Sequence, residues 1–213
     1  MSSDALTDEG LLGACRTGDE RAFVTLVGRH HPALVALAGC WPGGAHEAQR
    51  DLTLAWSAAL APARREQSAG LADVGSPETA LSVRARVGRE VTRAATRRTN
   101  LPPEAPDAPL VDPDRFFPAG HDLWADEWAD PPRPWGRRAA RRLGQPDMPR
   151  LLARRTRELG VARAAMLTLR DIHGWSAAEC AAALELAEPQ ARSLLRSARE
   201  ALRGALEAEI DSR

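Results

Sequence analysis

The residues best suited to chemistry lie near the C-terminus. Gln190, Arg192, Ser193, Arg196 and Arg199 are donor-bearing side chains spaced mostly three or four positions apart. On a helix they share one face. Such a face fits the DNA major groove, where arginine donates to guanine edges or to phosphates. A second set lies far upstream. Arg84, Arg86, Arg89, Arg93, Arg97 and Arg98 fall within one predicted helix whose only acids are Glu78 and Glu90. A cationic face of that kind suits a phosphate backbone. Each set also has a plainer explanation, a helical hairpin in the first case and a solvated helix face in the second.

Other chemistries find less support. His30, His31, Cys40 and His46 are close in sequence and invite a zinc site. Their spacing matches no finger or zincin pattern. No glycine-rich phosphate loop is present, and no nucleophile, histidine and carboxylate are set for hydrolysis. The expectation is a non-enzyme with no metal and no cofactor.

The elements that position the C-terminal set are legible. Ser176 and Glu179 have capping-box spacing, which predicts a helix start. Cys180, Ala181, Leu184, Leu186, Ala191 and Leu194 then fall at the apolar positions of a helix-turn-helix, with small Ala181 where the helices cross. The turn carries Glu185, where glycine is common because it takes positive φ without strain. Upstream, helices are predicted over 148–159 and 161–172. The second is expected to bury Val161, Ala164, Ala165, Leu167, Leu169 and Ile172, and Gly174 closes it.

The first half reads as helical too. A short helix covers Leu11 to Cys15, and Thr17 with Glu20 has capping spacing. Ala22, Phe23, Leu26 and Val27 begin an apolar stripe. Pro32 is expected to break or restart the helix, and Leu34, Val35, Leu37, Ala38 and Trp41 continue the stripe. A helix over 45–60 places Ala48, Leu52, Ala55, Trp56 and Ala59 on one face and His46, Gln49, Arg50 and Thr53 on the other. Ser76-Pro77 predicts the start of the arginine-rich helix, 78–99.

Between the halves the composition changes. From Leu101 to Asp130 there are eight acids against Arg115, with frequent proline. This predicts a linker. Phe116, Phe117, Trp124, Trp128 and Trp135 are costly to leave wet, so part of it is expected to dock. The acids could cover a basic face of the chain, imitate nucleic acid in a partner's channel, or simply add solubility. Arg137 to Arg142 then form a basic cluster. The fold class expected is all-α: two small helical domains, 7–100 and 147–208, joined by a flexible acidic and aromatic linker, 101–146.

Composition sets limits on this reading. Net charge is zero, so a nucleic-acid site needs local segregation of charge. There is no lysine, and every one of the 29 basic residues is arginine. Cys15, Cys40 and Cys180 form no CxxC pair, which suits a reducing cytoplasm. No signal peptide is apparent at MSSDALTDEG. No apolar run approaches the ~20 residues of a membrane span.

Two stretches carry a resemblance to a known family. GDERAFVTLVGRHHPALVALA (18–38) resembles the start of sigma region 2, and LTLRDIHGWSAAECAAALELAEPQARSLLRSAREALR (167–203) resembles region 4, of the extracytoplasmic-function sigma factors of bacterial RNA polymerase. WADEWADPPRPW is similar to what some actinobacterial members carry between the domains. The resemblance implies a transcription initiation factor that gives core polymerase its promoter specificity. It implies that the 45–60 helix binds the β′ clamp through His46, Gln49, Arg50, Thr53 and Trp56. It implies that Arg84, Arg86, Arg89, Arg93, Arg97 and Arg98 lie on the segment that opens and reads the −10 element. The loop over 61–75 would sit near a flipped-out base. Gln190, Arg192, Ser193, Arg196 and Arg199 would meet the −35 element. Implied partners are core RNA polymerase (β and β′ subunits), promoter DNA and, as a candidate, an anti-sigma factor.

Three positions depart from the family pattern. His46 and Arg50 stand where acids usually flank the clamp-binding glutamine. Val87-Gly88-Arg89-Glu90 stands where I-A-R-N is frequent, so Glu90 replaces an asparagine. An alternative reading stays open: a helix-turn-helix regulator that binds duplex DNA without the polymerase.

Overall fold

The computed structural model describes residues 6–61, 81–103, 129 and 137–211, without the side chains of residues 138, 140 and 211. Every regular element among them is helical, in the order α1 (Asp8–Arg16), α2 (Glu20–Ala38), α3 (Ala45–Leu60), α4 (Val83–Thr99), α5 (Arg137–Leu143), α6 (Met148–Glu158), α7 (Val161–Leu167), α8 (Ala177–Leu184) and α9 (Glu188–Asp211). No described helix is long and apolar enough to cross a membrane.

The first three helices form around the predicted stripes. α1 is capped by Thr7, whose hydroxyl accepts from the Gly10 amide. Gly18, at φ 93°, turns the chain, and Asp19 caps α2 by accepting from the Arg21 and Ala22 amides. Thr17 does not provide that cap; its hydroxyl donates back to the Ala14 carbonyl and closes α1. Asp8 ties α1 to α2 through Arg29 and His30, at 2.9 and 2.8 Å. Pro32 does not break α2 either. The residue four before it is Gly28, and apolar side chains on both sides, Ala22 and Leu26 then Ala33, Leu34 and Leu37, are buried. Core burial thus holds one helix across a proline that would otherwise end it.

α4 begins later than predicted, at Val83 with Ser82 as its cap; Ser76-Pro77 lies outside the described residues. It is the central helix of the fold. Val83, Ala85, Val87, Gly88, Val91, Thr92, Ala94 and Ala95 are all buried. It packs on α2 and α3 on one side and on α8 on the other.

That second contact alters the expected organisation. Leu11, Leu26, Leu37 and Trp56 of the first half belong to the same buried cluster as Met166, Leu169, Trp175, Leu184 and Leu194 of the second. The two halves share one core rather than keeping separate ones. A smaller cluster of Met148, Leu151 and Leu206 seats α6 against the distal half of α9. The linker range needs correction at its two ends. Trp41 Nε1 donates to the Leu101 carbonyl at 2.8 Å and Pro103 is buried, so the chain is still docked there. Residues 137–143, assigned to the linker, form α5, which packs on α9. The aromatics Phe116, Phe117, Trp124, Trp128 and Trp135, and the loop over 62–80, lie outside the described residues.

α7 is shorter than predicted. After Leu167 the backbone opens into one wide turn, Thr168–Ile172, in which the His173 amide reaches the Thr168 carbonyl. The extra residue per turn rotates Ile172 outward, and it is 68% exposed rather than buried.

Candidate nucleic-acid interface

The helix-turn-helix forms as its spacing predicts. Ser176 and Glu179 close a reciprocal capping box at 3.2 and 2.9 Å. Cys180, Ala181, Leu184, Ala191 and Leu194 are buried and Leu186 is half-buried. Glu185 turns the chain in the left-handed region, at φ 56°. A non-glycine residue there costs about 1 kcal/mol or more.

The proposed reading face lies on the first half of α9. Gln190 is exposed, and its side-chain oxygen accepts from the Ala187 amide at 3.0 Å, which caps the helix and leaves its NH₂ group to donate outward. Arg192, Ser193, Arg196 and Arg199 are half-buried along the same side. Arg192 rests on Glu188 at 3.1 Å, and Arg199 on Asp171 at 2.7 Å. Exposed guanidinium–carboxylate pairs of this kind are worth about 0–1 kcal/mol, so phosphates can displace them. The structure therefore places Arg192, Ser193, Arg196 and Arg199 along one side of the first half of α9, with Gln190 at its exposed N-terminal end.

The upstream set is arranged differently. Arg84 makes a bidentate pair with Glu179, Nε at 2.7 Å and Nη2 at 2.6 Å, and stacks over the Trp175 ring at 5.5 Å. Ser82 donates to the same carboxylate at 2.7 Å. Arg93 lies between Glu90, at 2.8 Å, and Glu185, at 2.7 Å. Arg86 reaches Glu9 at 2.7 Å. Arg98 grips the buried Asp51 at 2.7 Å and donates to the Pro42 carbonyl at 2.6 Å. Arg89 is half-buried, and Arg97 is exposed. At least four of the six arginines are thus bonded to carboxylates of the same chain, and among the six Arg97 is the exposed one.

Neither a family model, a curated protein nor a solved structure matches this chain. The chemistry of the site is read from its own geometry.

The electrostatics follow that geometry. Burial pushes the Glu179 carboxyl up, but the bonds from Arg84, Ser82 and Ser176 outweigh it and hold the group at about 2. Glu185 raises the pKa of Arg93, as Glu179 does for Arg84 and Asp51 for Arg98. Burial drives the Cys180 thiol up to about 12.

On α3, His46, Gln49, Arg50 and Thr53 are exposed and share one face. Trp56 is not with them. It is buried against the Phe23 ring, edge-on at 6.2 Å, and serves the core. Of the tempting zinc set, His30 is bonded to Asp8 and Cys40 Sγ lies 3.7 Å from Thr168 Oγ1 in the second half. Sequence reasoning missed Glu9, Asp51, Glu179, Glu185 and Trp175 as partners of the arginines. Only the capping role of Glu179 was signalled. It also passed over the exposed row of Arg150, Arg154 and Arg157 on α6. Arg154 there faces Glu158, and Arg157 donates to the Ala153 carbonyl, so these two are engaged within their own helix.

Proposed function

We propose that the chain is a promoter-specificity factor of the extracytoplasmic-function sigma type. It binds core RNA polymerase through the outer face of α3 (His46, Gln49, Arg50 and Thr53). It reads duplex −35 DNA with Gln190, Arg192, Ser193, Arg196 and Arg199 on α9, and takes up melted −10 DNA with α4. The observation that carries this reading is the capped helix-turn-helix with its donor-rich face on the accessible side of α9. The region 2 and region 4 resemblance of the two stretches supports it. The chain acts in the cytoplasm, with an anti-sigma factor as a candidate regulator.

The test is transcription with purified core enzyme. The expected result is selective initiation at particular promoters, weakened by Arg192→Ala with Arg196→Ala at promoters that depend on a −35 element. If the chain neither co-purifies with core polymerase nor adds promoter selectivity, the proposal fails. One observation favours a second reading. Because α4 is central and its arginines are paired, a regulator that binds duplex DNA through α9 alone needs no rearrangement. Such a protein would shift duplex DNA without core enzyme.

A further inference from the structure

We infer that the free chain is held in a closed, promoter-silent form, in which Glu179 and Glu185 of the helix-turn-helix take the α4 arginines that nucleic-acid phosphates would otherwise take. This rests on the sigma-type reading, because it needs α4 to be a helix that contacts DNA.

The seam is built from three parts. Glu179, in the first turn of α8, holds Arg84 in a two-pronged grip. Glu185, just past the end of α8, holds Arg93. The two arginines are nine positions apart, about 13 Å along α4, so α8 is clamped near both ends. Between them lies Gly88. A Cβ added there would meet the Ala183 Cβ and the Trp175 ring at 3.1 Å. The helices cross at a point so close that even a methyl group would push the indole or Ala183 back by a few tenths of an ångström, and a larger side chain has no room.

One of the three departures from the family pattern, Glu90, falls in this seam, and so does Glu185, the departure in the helix-turn-helix turn. Gly88 and Glu90 stand in the run where I-A-R-N is frequent, and Glu185 stands where glycine is common in the turn. Gly88 permits the crossing. Glu90 accepts from Arg93 Nη1 and aims the guanidinium toward Glu185. Glu185 takes a left-handed backbone and delivers a carboxylate to Arg93. A face used for DNA alone requires none of these. The charges also match in kind, since a carboxylate and a phosphate oxygen both accept from the same guanidinium fork. Meanwhile His46, Gln49, Arg50 and Thr53 on α3 stay exposed in the closed form. The closed chain can meet the polymerase before it can grip melted DNA. Opening exposes Trp175 and Ala183, so the drive must come from contacts that favour the open form.

The test uses the full chain and a fluorescein-labelled, mixed-sequence single-stranded 20-mer at low salt, with size read by small-angle X-ray scattering. Glu179→Gln with Glu185→Gln removes both carboxylates from the seam. Gly88→Leu leaves the charge unchanged, but its side chain has no room when the seam is closed. Circular dichroism establishes that each variant is helical. Wild type is expected to be compact. Both seam variants are expected to extend and to bind the 20-mer at least about tenfold more tightly, as a rise in the competent fraction requires. Glu158→Gln with Glu207→Gln changes the charge equally, away from the seam. It is expected to stay compact and to bind within about twofold of wild type, the scale of a screened surface-charge effect. The inference is overturned if wild type is already extended, if both seam variants stay compact, or if they extend without gaining affinity. Capture of core polymerase by the same proteins tests the other reading separately. A chain that opens and gains DNA affinity but never binds core enzyme would sink the sigma assignment while the masking of α4 stands.

Discussion

Glu179 should make the chain's stability pH-dependent in a window that its contacts define. The carboxylate accepts two bonds from Arg84, one from Ser82 and one from the Ser176 amide, and only 16% of the side chain is exposed. These bonds hold the group at about 2 against an ordinary 4.5. A gap of about 2.5 units corresponds to about 3.4 kcal/mol, and screening of the one-third-exposed Arg84 reduces this to about 2 kcal/mol. Because the folded pKa is the lower one, the contribution is complete above the unfolded value. It fades as pH falls from about 4.5 toward about 2, where the unfolded chain takes up its proton first. Glu179→Gln is the clean perturbation, since glutamine can still complete the capping box and keep the start of α8. Urea unfolding of both proteins at pH 7, 4 and 2.5 reads the difference directly. It should be about 2 kcal/mol at pH 7 and fall to about 0.5 kcal/mol at pH 2.5. A difference that is independent of pH would mean that packing or capping, not ionisation, carries the effect. No difference at pH 7 would mean that the clamp contributes nothing.

Arg98→Ala should destabilise the fold by about 3–5 kcal/mol, because it leaves the buried Asp51 carboxylate uncompensated. In thermal unfolding, Asp51→Asn added to that variant should recover much of the loss; equal destabilisation by the double variant would refute the charge argument. Cys180 is fully buried and its thiol is pushed to about 12. Alkylation followed by peptide mass spectrometry should therefore find Cys15, which is half-exposed, modified in the native protein, while Cys180 reacts only at the rate of unfolding.

The helices themselves were legible because their signals are local. Periodic leucines and alanines marked α2 and α3, and Ser176 with Glu179 marked the start of α8 three residues apart. The misjudged boundaries each involve a longer-range force. Pro32 reads as a breaker in any short window, yet buried side chains on both of its flanks keep α2 whole. Ile172 fits the stripe of α7 until a wide turn adds one residue and rotates it outward. Trp56 lies where a clamp contact is implied, but Phe23 and the core take it inward.

The fate of the α4 arginines was not legible for a deeper reason. A run of six arginines against few acids is judged by its own window, and that window contains none of Glu9, Asp51, Glu179 or Glu185. Arg84 and Glu179 are 95 positions apart. Nothing in either neighbourhood says that they meet, and a net charge of zero says only that enough acids exist somewhere in the chain. The one local hint was misfit. Glu185 is a poor residue for a left-handed turn, and the amides of Glu185 and Leu186 recover part of that cost by closing the end of α8. Its carboxylate finds a partner only when Arg93 arrives from another helix. Gly88 is the same kind of signal: glycine inside a helix costs about 1 kcal/mol relative to alanine, and α4 regains it by letting Trp175 and Ala183 approach. Where a residue is wrong for its own element, the element it suits is a distant one. Here both misfits face each other's helices across a single contact.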